Sequence, residues 1–246
     1  MLSFLDASSV AVVIGASGGI GAALVSALRE HTAVGTIFAT GHANQPPALA
    51  RVEAYTLDIL DEASLAALAA RVGEAGSLRL VFIASGLLHT PSGLAPEKSW
   101  RSLELASLQQ IFAINTFGPA LVGKHFLPLL SRQGAAIFAA LSARVGSIED
   151  NRLGGWHAYR ASKAALNMLI KNFSIELSRR APEALCVGLH PGTVDTPLSL
   201  PFQRAVRPEK LFSPAESALH LLEVLDELRP ADSGAVFAWD GQRITA

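Results

Sequence analysis

Tyr159 and Lys163 stand four residues apart in Trp156-His-Ala-Tyr-Arg-Ala-Ser-Lys163, a stretch that reads as helix. Residues at i and i+4 share a helix face, so a phenol and an ammonium project together. A cation beside a phenol favours the phenolate. It moves a pKa of about 10 towards the range where a general acid–base works. A second cluster, Gly15-Ala-Ser-Gly-Gly19-Ile-Gly21, separates an apolar run from a helix-length segment. Glycines there permit a tight turn and a close backbone approach, while a helix N-terminus offers free N–H groups and positive potential. The first pair can move a proton and the second can hold a dinucleotide phosphate. Together they imply hydride passage between a nicotinamide cofactor and a carbonyl or alcohol.

Each feature is weak alone. A tyrosine under a lysine stem is an ordinary helix surface, and a glycine cluster is often only a turn. The glycines also depart from G-x-G-x-x-G, because Leu24 stands where the third would fall. What strengthens them is their setting. Short apolar runs over 10–14, 36–40, 53–57, 78–84, 135–141, 185–189 and 234–239 read as strands. Helix-length segments over 19–30, 63–75, part of 105–130 and 159–179 alternate with them. Continuous apolar strands separated by helices predict a parallel sheet covered on both faces. The expected fold is α/β: one doubly wound, Rossmann-like domain over 1–246 with about seven strands. Ligands of such sheets bind at the carboxyl ends of the strands. The irregular segment 197–214 follows the sixth strand and is the candidate substrate lid, with a plain surface connection as its alternative.

Composition narrows the partners. The 246 residues are 50% hydrophobic and carry 20 basic against 21 acidic side chains, net −1. No basic block suggests nucleic acid or an anionic membrane. No run of about 20 apolar residues and no basic leader is seen, so a soluble, cytoplasmic protein is expected. The single cysteine, Cys186, sits in a strand-like run and reads as an inert buried residue. The seven histidines form no metal-spaced pair, so no metal is expected.

Taken together, these motifs resemble the short-chain dehydrogenase/reductase family over essentially the whole chain. Gly15-x-x-x-Gly19-x-Gly21 is similar to its cofactor turn and Tyr159-x-x-x-Lys163 to its catalytic motif. Ser142 after the fifth strand and Asn115 in Phe112-Ala-Ile-Asn-Thr match its remaining catalytic positions. Asp58-Ile59, Ile83-Ala-Ser85-Gly86 and Pro191-Gly192 fall where the family contacts its cofactor. The second of these, Ile83-Ala-Ser85-Gly86, departs from the family's Asn-Asn-Ala-Gly. Leu87-Leu-His89, His190-Pro-Gly-Thr-Val194-Asp-Thr196-Pro and Pro201-Phe-Gln203 resemble the branch that holds C-factor and sniffer-type proteins.

The resemblance implies an oxidoreductase interconverting a carbonyl and a secondary alcohol. Tyr159 would exchange the proton, and Lys163 would hold the nicotinamide ribose. Ser142 would donate to the substrate oxygen, and Asn115 would hold a water linking Lys163 to solvent. Cofactor contacts are implied at Gly15, Ser17, Gly18, Gly19, Ile20, Gly21, Asp58, Ile59, Ser85, Gly86, Tyr159, Lys163, Pro191, Val194 and Thr196. A cofactor-binding regulator or signalling protein is the alternative on the same fold. The pocket is expected from Leu87, Leu88, Arg144, Val145, Leu153, Leu198 and Phe202. A homodimer or homotetramer is expected, since the long helices are apolar over more than one face. No Asp or Glu occurs between Glu30 and Glu53, where a carboxylate would accept from the ribose 2′-OH and repel a 2′-phosphate. The sequence therefore leans to NADP(H) over NAD(H), with Ser17, Thr40, His42 and Asn44 as donors.

Overall fold

The computed structural model describes residues 2–245. Parallel strands β1 (Ser9–Ile14), β2 (Thr36–Gly41), β3 (Val52–Thr56), β4 (Ser77–Ile83), β5 (Ala136–Leu141) and β6 (Ala184–His190) build the sheet. A two-residue strand, β7 (Thr193–Val194), pairs outside it with β8 (Leu211–Phe212). Strand β9 (Val236–Ala238) runs parallel to β6, and β10 (Arg243–Ile244) closes the edge antiparallel. The order is β10-β9-β6-β5-β4-β1-β2-β3, eight strands where about seven were expected. Chain direction across the sheet reverses between β1 and β4. Such a switch point leaves a crevice at the carboxyl ends of these strands.

The strands are buried on both faces, which is why they read as apolar runs rather than alternations. Helices α1 (Gly19–His31) and α6 (Pro214–Glu227) cover one face through Leu24, Leu28, Leu221 and Leu225. On the other lie α2 (Glu62–Ala75), α4 (Gly118–Phe126) and α5 (His157–Ser178), packed through Leu65, Phe126, Leu166 and Ile170. The long helix expected within 105–130 is broken. α3 (Leu105–Phe112) passes into a π-helical turn, Ala113–Phe117, before α4 begins. The composite run Leu105–Leu129 is long and apolar enough, by length and composition, for a membrane span. Here it packs on α2 and α5 instead. Segment 197–214 is not irregular throughout. It holds a 3-10 turn at Leu200–Ala205, another at Pro208–Lys210, and β8. α6 follows at once, capped by Ser213 and Glu216 in a reciprocal box with Pro214 in the first turn.

Candidate active site

The glycine turn joins β1 to α1. Gly15 has φ 87°, and a Cβ there would lie 2.8 Å from the Ser85 nitrogen. That conformation favours glycine and lets β1 and β4 end side by side. A Cβ on Gly21 would collide with the Gly15 carbonyl oxygen, so the helix can start hard against the turn only without one. Gly15 and Ala16 both donate to the Thr40 carbonyl, which ties the turn to β2. No side chain caps α1, whose cap residue is Gly18. Gly18, Gly19 and Ile20 at this helix start line a cavity of about 370 Å³.

Ten of the expected cofactor residues line that cavity: Ser17, Gly18, Gly19, Ile20, Ser85, Gly86, Tyr159, Lys163, Pro191 and Thr196. Gly15 and Gly21 shape it from behind. Val194 does not line it and faces a neighbouring cavity of about 300 Å³. Asp58 and Ile59 also lie outside its lining. The Asp58 carboxylate is exposed and accepts from Leu60 N at 2.9 Å, while Ile59 packs in the core. Thr40, offered above as a cofactor donor, is buried at 1% exposure and out of reach.

The second cavity is mostly apolar. Leu88, Val145, Trp156, Leu198 and Phe202 contribute to it, together with His190. Leu87, Arg144 and Leu153, also expected there, do not; Leu153 is 91% exposed, and Arg144 pairs with Asp150 at 3.1 Å. Burial, with Arg144 nearby, pushes His190 down to about 4, so it lines the cavity as a neutral imidazole. Phe202 is held from two sides. Its ring meets Trp156 at 4.9 Å and His89 at 5.8 Å between centroids, and His89 Nε2 lies 3.1 Å from the Pro197 carbonyl oxygen.

The two cavities share Ile20, Ser142, Tyr159, Pro191, Thr196 and Leu198. The two hydroxyl-bearing residues singled out for chemistry therefore stand at the junction. Helix α5 supplies Tyr159 and Lys163. Its N-terminus is held from outside: Trp156 adopts φ 51°, and the buried Glu97 carboxylate accepts from Ala158 N at 3.2 Å. Lys163 Nζ donates to the Leu141 carbonyl at 2.8 Å and lies 5.7 Å from the centre of the Tyr159 ring. The Tyr159 hydroxyl has no partner among the described residues.

Burial shifts both groups. It raises Tyr159 to about 12 and lowers Lys163 to about 8. The tyrosine shift runs against the lowering expected from the Tyr–Lys pair. The ammonium reaches a backbone carbonyl rather than the phenol oxygen, so loss of hydration decides the direction.

Asn115 sits on the π-helical turn and is fully buried. Its Oδ1 accepts from Leu87 N at 2.8 Å, and its Nδ2 donates to Leu87 O at 2.8 Å and Ser162 Oγ at 3.1 Å. Both amide hydrogens are thus committed to holding the β4–α3 connection against α5. For the water implied above, the side chain can offer only a lone pair of Oδ1. Ser142 is 3% exposed, and its hydroxyl donates to Asn167 Oδ1 at 2.6 Å.

The comparisons agree with this geometry. The sequence model described as short chain dehydrogenase matches residues 9–206. The chain belongs to that family. It is 34% identical to 1-hydroxy-2-glutathionyl-2-methyl-3-butene dehydrogenase of Rhodococcus sp. (strain AD45), over 75% of this chain and 76% of that one. C-signal of Myxococcus xanthus is 34% identical over 58% of this chain and 80% of its own. Among solved structures, an NADPH-bound carbonyl reductase from chicken fatty liver superposes with TM-score 0.82 at 28% identity, covering 98% of this chain and 100% of that one. This short-chain dehydrogenase is an NAD(P)-dependent oxidoreductase.

Sequence reasoning missed Asn167, Trp156, Glu97 and His190. Two left a legible signal. Asn167 extends the Tyr159, Lys163 spacing by four more residues, and His190 directly precedes Pro191-Gly192. Glu97 and Trp156 left none, since their roles come from a loop meeting a helix end.

Proposed function

We propose that this dehydrogenase reduces a small, largely apolar ketone or aldehyde to the alcohol with NADP(H), working as one domain over 1–246. The observation that carries the reading is the junction. An unpartnered Tyr159 hydroxyl and Ser142 stand where a glycine-lined cavity at a helix N-terminus meets an apolar one. The first cavity fits a dinucleotide: an uncapped helix start for phosphate, the unpartnered Ser85 hydroxyl, and two Lys163 hydrogens left for ribose oxygens. Asp58 and Ile59, beyond the lining, are assigned to its adenine end. When bound, the cofactor supplies or accepts the hydride.

The residues do the rest. The apolar wall and Phe202 exclude water and orient the carbonyl towards the junction. Tyr159, protonated up to about 12, gives its proton to the oxygen as charge develops there. Ser142 donates a hydrogen bond to the same oxygen, and such donors contribute about 2.7–4 kcal/mol. A phenol held protonated suits reduction better than its reverse. Asn115 and the π-helical turn keep α5 and Leu87 in register.

NADP(H) is favoured because exposed Ser17, His42 and Asn44 surround the end of β2 without a carboxylate. Exposed Leu105, Phe117, Met168 and Ile175 on the helices support a homodimer or homotetramer, and the lone buried Cys186 suits the cytoplasm. Oxidation of NADPH and NADH over a panel of ketones, aldehydes and quinones tests the reading. Turnover with NADPH preferred is expected; no turnover with any of them overturns it. Tighter NADH binding, unchanged in His42→Ala, overturns the cofactor preference alone. A 25.8 kDa species alone in sedimentation at micromolar concentration overturns the oligomer.

A further inference from the structure

Asn167 lies one helical turn beyond Lys163 and two beyond Tyr159, on the same face of α5. A serine hydroxyl has one hydrogen. Here it is given to Asn167 Oδ1 at 2.6 Å, and so it is withheld from any oxygen in the cavity that Ser142 shares with Tyr159. The Asn167 amide N–H groups have no partner among the described residues. The side chain also borders a separate cavity of about 480 Å³ behind α5. No second hydrogen bond in the described protein therefore fixes which way round the amide sits. Turned by half a revolution, it presents Nδ2 to Ser142 Oγ instead. The serine then accepts from Asn167, its hydrogen is released towards the junction, and a donor bond backed by an accepted one is strengthened.

We infer that Asn167 is a positioning residue for Ser142, its amide orientation deciding whether the serine hydrogen faces the substrate oxygen or turns away from it. The inference rests on Ser142 being the donor to that oxygen. Asn167→Asp and Asn167→Leu separate the two ideas. The aspartate keeps the acceptor and loses the donor, so it holds the serine hydrogen permanently. The leucine has neither group and leaves the hydroxyl free to turn.

The measurement is kcat and KM for the best-used ketone of the panel, from pH 5 to 9, with the NADPH dissociation constant and melting temperature of each variant. Asn167→Asp is expected to lower kcat about 10²–10³-fold at pH 8, the scale of a lost oxyanion donor. It should recover as pH falls and the carboxyl gains a proton it can donate. Asn167→Leu should lose less than about tenfold on that scale. In a Ser142→Ala background, Asn167→Asp should add less than about threefold, as non-additivity within one hydrogen-bonded unit requires. The NADPH constants should stay within about twofold, well under 1 kcal/mol.

Equal losses in the aspartate and leucine variants, no acid recovery, or a full aspartate effect without Ser142 overturns the inference while Ser142 keeps its role. Wild-type turnover in Ser142→Ala removes the reading beneath it.

Discussion

The two cavities that meet at Ser142 and Tyr159 are made of different material. The side proposed for the cofactor is largely backbone: glycines that admit a close approach, the start of α1, and the ends of β1 and β4. The side proposed for the substrate is side chain, carried on three connections: Leu88 after β4, Val145 and Trp156 between β5 and α5, and Leu198 and Phe202 after β7. A backbone cradle depends on fixed dihedrals and tolerates few residues. A wall of apolar side chains can exchange one shape for another while keeping its function of excluding water. The contrast explains how one fold can keep a cofactor while changing its substrate.

Four substitutions or titrations would break or sharpen that contrast. The largest effect belongs to the junction itself. Tyr159→Phe removes only the proton donor, so turnover should fall by about 10²–10⁴ while cofactor affinity stays. A stably folded variant with wild-type turnover would remove Tyr159 from the mechanism. Next comes the backbone side. In Gly21→Ala the new methyl collides with the Gly15 carbonyl oxygen, whereas Gly18 has no atom within 4 Å of an added Cβ. Gly21→Ala should weaken NADPH binding at least about tenfold, or 1.4 kcal/mol, and lower the melting temperature. Gly18→Ala should hold its melting temperature within about 2 °C. Equal melting temperatures would show that the turn is not the rigid part. On the side-chain side, Phe202→Ala forfeits ring contacts with Trp156 and His89. Such contacts are worth about 0.5–1.5 kcal/mol, so KM should rise about two- to twelvefold with the NADPH constant unchanged. If cofactor affinity moves as much as KM, the two cavities are not separable.

The same difference in material governs what was legible in the sequence. Gly15, Gly19 and Gly21 could be read because a backbone requirement leaves one residue type. Tyr159 and Lys163 could be read because helix spacing carries them to one face. The π-helical turn at 113–117 could not, since its apolar pattern runs on unbroken from α3 into α4 and only the docking of Asn115 on Leu87 and Ser162 reveals it. Helix α6 was open to reading. Ser213, Pro214 and Glu216 spell a helix start, but the reading assigns no helix to 214–227. The wall of the apolar cavity was half legible: Leu88, Val145, Leu198 and Phe202 line it, whereas Leu87, Arg144 and Leu153 do not. Nothing in an apolar loop fixes which way each side chain turns.

The smallest effect tests whether Lys163 serves the backbone side as a cation. Its pKa is lowered by burial from 10.5 to about 8, so the ammonium is present below pH 8 and lost above it. In the role proposed for Lys163, that ammonium is the donor to the ribose hydroxyls. NADPH affinity should therefore be full at pH 7 and about fourfold weaker at pH 8.5, following the protonated fraction of a group titrating near 8. Unfolding through this residue cannot mimic the fall, because its linkage runs the other way. Between about 8 and 10.5 the unfolded chain holds a proton that the folded lysine has released, so this group's contribution to stability rises with pH. Tyr159, raised from 10.0 to about 12, works against stability only above pH 10, outside the window. Titration of binding by fluorescence from pH 7 to 9 reads the effect. Lys163→Arg keeps its charge throughout and should bind with no such slope. A wild-type affinity flat across pH 8, or an equal slope in the arginine variant, would show that the lysine's charge is not what holds the cofactor.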